Sequence, residues 1–275
     1  MHKIHPVDFD RALIVRYDGK GPRYTSYPTA DRFKSEHTAH RDILSRRAPG
    51  ALAMPLSLYF HLPFCNTICY YCGCNKIITK DQSRADDYLD YLTREVALYG
   101  DLLQNRPKVS QLHLGGGTPT FLNHAQLQRL MDVVNTHFSL QANGEYSIEI
   151  DPRKVGEDTI KHLAQLGFNR MSVGIQDFNP EVQLAVNRVQ SEEETRTVIE
   201  AARMYGFRSV SVDLIYGLPK QTAAGVAETI ARVLLLRPDR IALYNYAHLP
   251  ERFMPQRRIN SDELPSSEVK LDILQ

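Results

Sequence analysis

Short apolar runs recur along the chain and predict alternating strands and helices. Six of these runs have the length and composition of buried strands. They occupy residues 56–61, 111–114, 146–150, 170–175, 209–215 and 240–246. The segments between them carry apolar residues at helical spacing, so the pattern predicts repeated strand–helix units.

Two of the predicted helices show their apolar face most clearly. One begins after Ser83 as its N-cap, and its face comprises Tyr88, Leu89, Leu92, Val96 and Tyr99. The other begins at Asn123, and its face comprises Leu127, Leu130, Met131, Val134 and Phe138. Two later helices are each predicted to end at a glycine, Gly167 or Gly206, followed by a buried phenylalanine and a strand. This repeat predicts parallel strands joined by right-handed crossovers.

Polar residues follow the predicted strands, and their placement bears on the architecture. Six such units form either an open doubly wound sheet or a barrel, and composition does not choose between them. The polar positions are residues 115–118, Glu149, Asp151, Gln176, Asp177, Asp213 and Asn245. Because βα barrels build their sites at the carboxyl ends of the strands, this placement favours a barrel of the α/β class.

Composition excludes several classes of protein. Hydrophobic residues make up 43% of the chain and charged residues 24%, as is usual for a globular protein. A net charge of +1 gives no electrostatic case for binding nucleic acid. No apolar run approaches the roughly 18 residues of a membrane helix. The first residues lack the apolar core of a secretory signal, so we expect a cytoplasmic protein.

The cysteines carry the clearest chemical signal. All four, Cys65, Cys69, Cys72 and Cys74, lie within one short window. Disulfides between such close neighbours would close only tiny, strained loops, whereas clustered thiolates suit a soft or borderline metal centre. Structural zinc usually takes two separated pairs of ligands, although Cys74 or a histidine could supply a fourth ligand here. The C-x3-C-x2-C spacing favours an iron–sulfur cluster, in which three cysteines would leave one iron open.

This motif, with Tyr71 before its last cysteine, resembles the signature of the radical S-adenosylmethionine (SAM) enzymes. The resemblance implies a partial (β/α)6 barrel in which Cys65, Cys69 and Cys72 bind a [4Fe-4S] cluster and SAM chelates its fourth iron. It also implies an oxidoreductase in which one electron cleaves SAM and the 5′-deoxyadenosyl radical removes a hydrogen atom from the substrate. The cofactors carry that radical chemistry.

Further motifs resemble one family of these enzymes, the oxygen-independent coproporphyrinogen III oxidases. They are RYTSYPTA (23–30), CGCNK (72–76), GGGTPT (115–120), EIDP (149–152), GIQDFN (174–179), VNR (186–188), DLIYGLP (213–219) and YNYAHLP (244–250). The resemblance implies anaerobic oxidative decarboxylation of two propionates of coproporphyrinogen III to vinyl groups, giving protoporphyrinogen IX in haem biosynthesis. We expect an N-terminal arm over 1–52, the barrel over 53–250, and over 251–275 the start of a C-terminal region that this chain does not complete.

The same resemblance implies two SAM molecules, bound side by side. The positions that match contacts to the cluster-bound molecule are Tyr59, Tyr71, Gly116 and Glu149. Those that match contacts to the second molecule are Gly117, Thr118, Gln176, Arg188, Asp213 and Ala247. The residues themselves leave alternatives, because three successive glycines also suit a tight turn. An unpaired Asp213 in an apolar run would be costly, which predicts a ligand or an ion pair there.

Several partners and alternatives follow. We expect a monomer with an unidentified electron donor and acceptor, and basic residues such as Arg23 around a substrate with four carboxylates. The histidines His61, His113, His162 and His248 are expected to be structural or to support the site residues. The alternatives are a haem-trafficking protein, which typically has Asp-Phe where this chain has Gly73-Cys74, a haem-degrading radical methyltransferase, and a structural zinc-binding scaffold.

Overall fold

The computed structural model describes residues 8–17, 29, 32, 54–103 and 105–275. Most of the expected N-terminal arm, including Arg23, lies outside the described residues.

The strands form one large and one small sheet. In chain order they are β1 (Leu56–Leu62), β2 (Phe64–Cys65), β3 (Ile77–Ile78), β4 (Lys108–Gly116), β5 (Ser139–Ile150), β6 (Arg170–Gln176), β7 (Ser209–Tyr216) and β8 (Arg240–Asn245). The large sheet has the order β1-β4-β5-β6-β7-β8, and every neighbouring pair is parallel. A doubly wound sheet would reverse its order at a switch point. This order has no reversal, which supports the predicted partial barrel, open between β1 and β8 within the described part of the chain.

Helices lie between the strands of the large sheet, and in the part of the chain that the structure describes one helix precedes β1 and one follows β8. They are α1 (Arg11–Tyr17), α2 (Arg84–Leu103), α3 (His124–His137), α4 (Glu157–Gln165), α5 (Pro180–Ala185), α6 (Glu192–Met204), α7 (Ala223–Leu235) and α8 (Ser267–Leu274). Asn123 caps α3 in a capping box with Gln126, so the predicted start of that helix is confirmed. Among the described residues, no helix is both long and apolar enough to cross a membrane.

The prediction for the buried face of α2 is wrong at one residue. Leu89, Leu92 and Val96 are buried as expected, but Tyr99 is 37% exposed. The next residue, Gly100, is buried against α3, where an added Cβ would lie 2.6 Å from the ring of His137. The two helices thus meet through a glycine, and the adjacent tyrosine stays partly exposed.

The two predicted helix ends are confirmed. Gly167 and Gly206 adopt φ of +95° and +81°, the left-handed conformation typical of a helix C-terminus. The amide of Phe168 then donates to the Leu163 carbonyl, and that of Phe207 donates to the Ala202 carbonyl. Both phenylalanines are buried in the core, so each connection turns the chain directly from helix into strand.

Candidate functional site

The carboxyl ends of the strands open into one cavity of about 420 Å³. It contains eleven of the thirteen predicted site residues. These are Cys65, Cys69, Tyr71, Cys72, Gly116, Gly117, Thr118, Glu149, Gln176, Arg188 and Asp213. Residues more than a hundred positions apart in sequence thus meet because parallel strands end at the same edge of the sheet.

The two remaining residues, Tyr59 and Ala247, do not line this cavity. Tyr59 stacks on the ring of His113 with centroids 5.7 Å apart, and its hydroxyl lies 3.1 Å from His61 Nδ1. The carbonyl of Ala247 accepts a hydrogen bond of 3.2 Å from Gln256 Nε2.

Each of the three motif cysteines has a hydrogen-bond donor at its side chain. The Thr118 hydroxyl lies 3.6 Å from Cys65 Sγ. Cys69 Sγ accepts hydrogen bonds from two arginine side chains, and the Cys74 thiol donates to Cys72. That last hydrogen bond lowers the pKa of Cys72 to about 6 despite burial, which favours its thiolate.

Cys74 differs from the three motif cysteines. Its hydrogen bond to Cys72 and its burial raise its pKa, so it stays a neutral thiol. Lys76 supports the same turn by donating to the carbonyls of Cys72 and Cys74, at 3.0 and 3.1 Å. Burial and the neighbouring Cys72 thus favour the protonated form of Cys74.

The cysteine loop is held by backbone contacts from distant segments. Ile77 donates to the Pro63 carbonyl at 2.7 Å, and Tyr70 donates to the Val186 carbonyl at 2.9 Å. The side chain of Asn187 donates to the Ile68 carbonyl at 2.7 Å. The position of the loop thus depends on the segment that follows α5 as well as on its own residues.

The glycine run after β4 permits a close backbone approach. An added Cβ on Gly117 would lie 2.7 Å from the Phe64 carbonyl oxygen. The Gly117 amide donates to the Leu62 carbonyl at 2.9 Å, and the Gly116 amide donates to Glu149 Oε2 at 3.2 Å. These two amides are thus already paired within the protein, and the glycines bring β4 against the cysteine loop.

Two carboxylates in the cavity suit a positively charged ligand. Glu149 contacts His113 Nε2 at 3.2 Å. Asp213 accepts from the Ser172 hydroxyl at 2.8 Å and makes no ion pair with any described residue. Burial raises the pKa of Asp213, and the serine offsets this only in part. A cation beside Asp213 would relieve the cost of its buried charge.

A cluster of three charged side chains lies beside Cys69, and Arg153 is the member that the sequence did not single out. Asp151 bridges Arg153 and Arg188, with its Oδ2 2.5 Å from Arg153 Nη2 and 3.2 Å from Arg188 Nη1. Burial raises the pKa of Asp151, but the two arginines outweigh it and lower the value to about 2. The sequence shows Asp151 at a strand end, but nothing in the spacing distinguishes Arg153 from the other basic residues.

Arg188 is almost completely buried, and not all of its guanidinium N–H groups have a hydrogen-bond partner. Its Nη2 donates to the Gly174 carbonyl at 2.9 Å, and its Nη1 contacts Cys69 and Asp151. Its Nε has no hydrogen-bond partner among the residues that the structure describes. A buried, unpaired N–H of this kind fits a ligand that carries an acceptor oxygen.

The donor set fits a thiolate-bound, negatively charged metal group. Three free thiols on one loop face donors or cations, and no disulfide joins the described cysteines. Within the described ranges, no three His, Cys, Asp or Glu side chains converge closely enough to hold a single metal ion. An iron–sulfur cluster is the thiolate-bound group that this donor set fits.

Comparisons with known proteins agree with this chemistry. The sequence profile of the radical SAM superfamily matches residues 59–233. The oxygen-independent coproporphyrinogen III oxidase of Pseudomonas aeruginosa is 54% identical over 98% of this chain and 59% of its own length. The protein of the same name from Escherichia coli is 52% identical over 99% of this chain and 59% of its own length.

Structural comparison gives the same result. The solved structure of coproporphyrinogen III oxidase from Escherichia coli, described as a radical SAM enzyme, matches with a TM-score of 0.91 and 49% identity. The match covers 98% of this chain and 60% of that one, so this chain spans well under two thirds of the length of these relatives. The resemblance predicted from the cysteine motif is confirmed: this chain belongs to the radical SAM superfamily.

Proposed function

We propose that this chain forms the barrel of an oxygen-independent coproporphyrinogen III oxidase. The reaction would be oxidative decarboxylation of two propionates of coproporphyrinogen III to vinyl groups, giving protoporphyrinogen IX. The observation that carries this proposal is 54% identity to an enzyme of that name over nearly the whole chain. The site supports it, because eleven of the residues expected from the family resemblance line one cavity.

The cofactors of the superfamily are a [4Fe-4S] cluster and SAM. When bound, they supply one-electron cleavage of SAM and a carbon-centred radical that takes a hydrogen atom from the substrate. In this chain Cys65, Cys69 and Cys72 would hold the cluster. The hydrogen bonds to their sulfurs would stabilise the thiolate forms that bind iron.

We propose that the cavity holds two SAM molecules. Tyr59, Tyr71, Gly116 and Glu149 would contact the first, with Glu149 suited to its ammonium group. The residues for the second would be Gly117, Thr118, Gln176, Arg188, Asp213 and Ala247. The buried Asp213 would accept from a cationic group, and the unpaired Nε of Arg188 would donate to a carboxylate.

The remaining partner assignments belong to the same proposal. The chain would act as a cytoplasmic monomer, take electrons from a donor, and pass the electrons left by decarboxylation to an acceptor. Size-exclusion chromatography with light scattering tests the monomer, since a dimer would elute with twice the 31.4 kDa mass of the chain.

The proposal is tested by anaerobic reconstitution with iron and sulfide, followed by electron paramagnetic resonance with and without SAM. We expect a four-iron signal that changes when SAM is added. Coproporphyrinogen III is then supplied, and its vinyl products are measured by chromatography, with the Escherichia coli relative as positive control. Cys69→Ala should lose the cluster, whereas Cys74→Ala should retain it because three ligands remain.

The alternatives give different results in the same experiment. A colourless protein with stoichiometric zinc would favour the structural scaffold. A cluster that responds to SAM, with haem binding but without decarboxylation, would favour a haem-trafficking protein, and SAM-dependent breakdown of haem would favour the radical methyltransferase. A four-iron cluster that persists in Cys69→Ala would refute the ligand assignment.

A further inference from the structure

Positive charge is distributed unequally over the three motif cysteines. Cys65 faces a neutral hydroxyl. Cys72 lies beside the Cys74 thiol and the Lys76 ammonium, and that ammonium donates to the Cys72 carbonyl at 3.0 Å. Cys69 Sγ instead faces two guanidinium groups, with Arg188 Nη1 at 3.6 Å and Arg153 Nη2 at 3.8 Å. Both guanidinium contacts are thus made to one of the three sulfurs, whereas the Lys76 ammonium is bonded to carbonyls of the cysteine loop.

Arg153 is held in this position by its own short turn. Asp151 caps the 3-10 turn Pro152–Lys154 by accepting from the Arg153 amide at 3.2 Å. The same carboxylate accepts from the Arg153 side chain through Nε at 2.9 Å and Nη2 at 2.5 Å. Both side chains are only 15% exposed, so solvent screens them weakly.

Arg188 is fixed by a separate partner, the Gly174 carbonyl, and does not require Arg153 to stay in place. Asp151 carries one negative charge, and the two arginines carry two positive charges. The three side chains together therefore present one net positive charge to Cys69. Removing Arg153 would cancel that charge, and neutralising Asp151 would double it.

We propose that Arg153 is a positioning residue that sets the reduction potential of the cluster through Cys69, with Asp151 as its opposing charge. This inference rests on the proposed cluster at Cys65, Cys69 and Cys72. Hydrogen bonds to cluster sulfurs and nearby positive charge favour the reduced, more negative cluster, and so raise its potential. Arg153→Met should therefore lower the midpoint potential, and Asp151→Asn should raise it.

The test is a redox titration of the reconstituted full chain, followed by electron paramagnetic resonance. Arg153→Lys preserves the charge and should stay close to the wild-type midpoint. Lys154→Met is the matched control, because it removes an exposed cation from the same turn that makes no recorded bond to a cysteine. We expect its midpoint to move less than that of Arg153→Met.

The opposite signs make the proposal falsifiable. Equal midpoints in all variants, or shifts of Arg153→Met and Asp151→Asn in one direction, would overturn it, since a merely structural defect has no reason to reverse sign. If Arg153→Met fails to retain iron, the other two variants decide the question. The proposal then requires that Asp151→Asn raise the midpoint potential and that Arg153→Lys keep it close to the wild-type value. Failure of the wild-type chain to form any four-iron cluster would instead refute the proposed function. A wild-type chain that forms the cluster but does not convert coproporphyrinogen III would refute the proposed function alone. The midpoint potentials of the variants would still decide this proposal.

Discussion

At the scale of single residues, Asp151 determines how the charges around the cysteine loop are arranged. It accepts from both Arg153 and Arg188, and its pKa is depressed to about 2 because these contacts outweigh its burial. A depressed carboxyl pKa means that the ionised form stabilises the fold at neutral pH. That stabilisation is lost as the pH falls through the folded-state value.

Asp151→Asn in the protein without metal is expected to lower the free energy of unfolding at pH 7 by about 2 kcal/mol, as a depression from 3.8 to about 2 implies. The difference from wild type should shrink as the pH falls from about 4 towards 2, because the wild-type carboxyl is protonated there too. Urea unfolding at several pH values measures this. If the difference in unfolding free energy between wild type and Asp151→Asn did not change with pH, the charge of Asp151 would not be what stabilises the fold.

Gly117 is a second residue with a defined steric limit. Gly117→Ala is expected to cost about 2 kcal/mol or more and to reduce iron retention, because its Cβ would lie 2.7 Å from a backbone oxygen that borders Cys65. Gly225→Ala in α7 is the control, since the nearest atom there is Thr222 Oγ1 at 3.2 Å and helices favour alanine. Denaturant unfolding and iron content check both variants. Equal losses would contradict the steric argument.

Residue types at strand ends could be predicted from sequence because parallel strands deliver them to one edge. The cysteine cluster followed from spacing, the strand-end position of Glu149 and the cost of an unpaired Asp213 followed from the residues, and their roles towards SAM were implied by the family resemblance. The bond between Arg153 and Cys69 could not be predicted, because it joins segments 84 positions apart and depends on how the turn after β5 is oriented. Tyr59 stacks on His113 outside the cavity lining, and its expected contact with a ligand stays a prediction.

At the scale of elements, helix ends were predictable and helix contacts were not. The helix ends at Gly167 and Gly206 could be predicted, because the left-handed conformation of a glycine at a helix end depends on the local sequence. The exposure of Tyr99 is not local, because it follows from the packing of Gly100 on His137 of a different helix. Helical periodicity identifies a face to within about one residue, and only the partner helix defines its edge.

The end of α6 offers a test of the local argument. Gly206→Ala is expected to lower the free energy of unfolding by about 1 kcal/mol through its φ of +81°. The added Cβ meets no steric obstacle, because no described residue other than its chain neighbours lies within 4 Å. Gly206→Asn should lose less, since asparagine tolerates this conformation better. Thermal unfolding of both variants measures the effect. An alanine variant as stable as wild type would mean that the chain relaxes out of the left-handed region.

At the scale of the whole molecule, the strand order could be predicted from the repeated helix–strand units. The two edges of the sheet differ in exposure. In β8, Ile241, Leu243 and Tyr244 are exposed, and within the described residues this strand pairs only with β7. The central strands β5 and β6 pair on both sides, so stability is expected to fall towards the β8 edge.

Hydrogen exchange measures that gradient directly. Amides of β6 should exchange slowest, and those of β8 should exchange faster, because opening an edge strand breaks fewer contacts. Peptide-resolved mass spectrometry of the chain distinguishes the two strands. Equal protection across the sheet would indicate that it opens only as one cooperative unit.

The anchoring of the cysteine loop has a consequence for the order of events during biogenesis. The loop donates a hydrogen bond to the Val186 carbonyl and accepts one from the Asn187 side chain, and both residues lie more than a hundred positions later in the chain. A nascent chain that has not yet reached those residues cannot hold the three thiols in their final arrangement. Iron binding should therefore lag behind synthesis of the first half of the barrel. The rate at which the chain takes up its cluster would then report when the fold is complete.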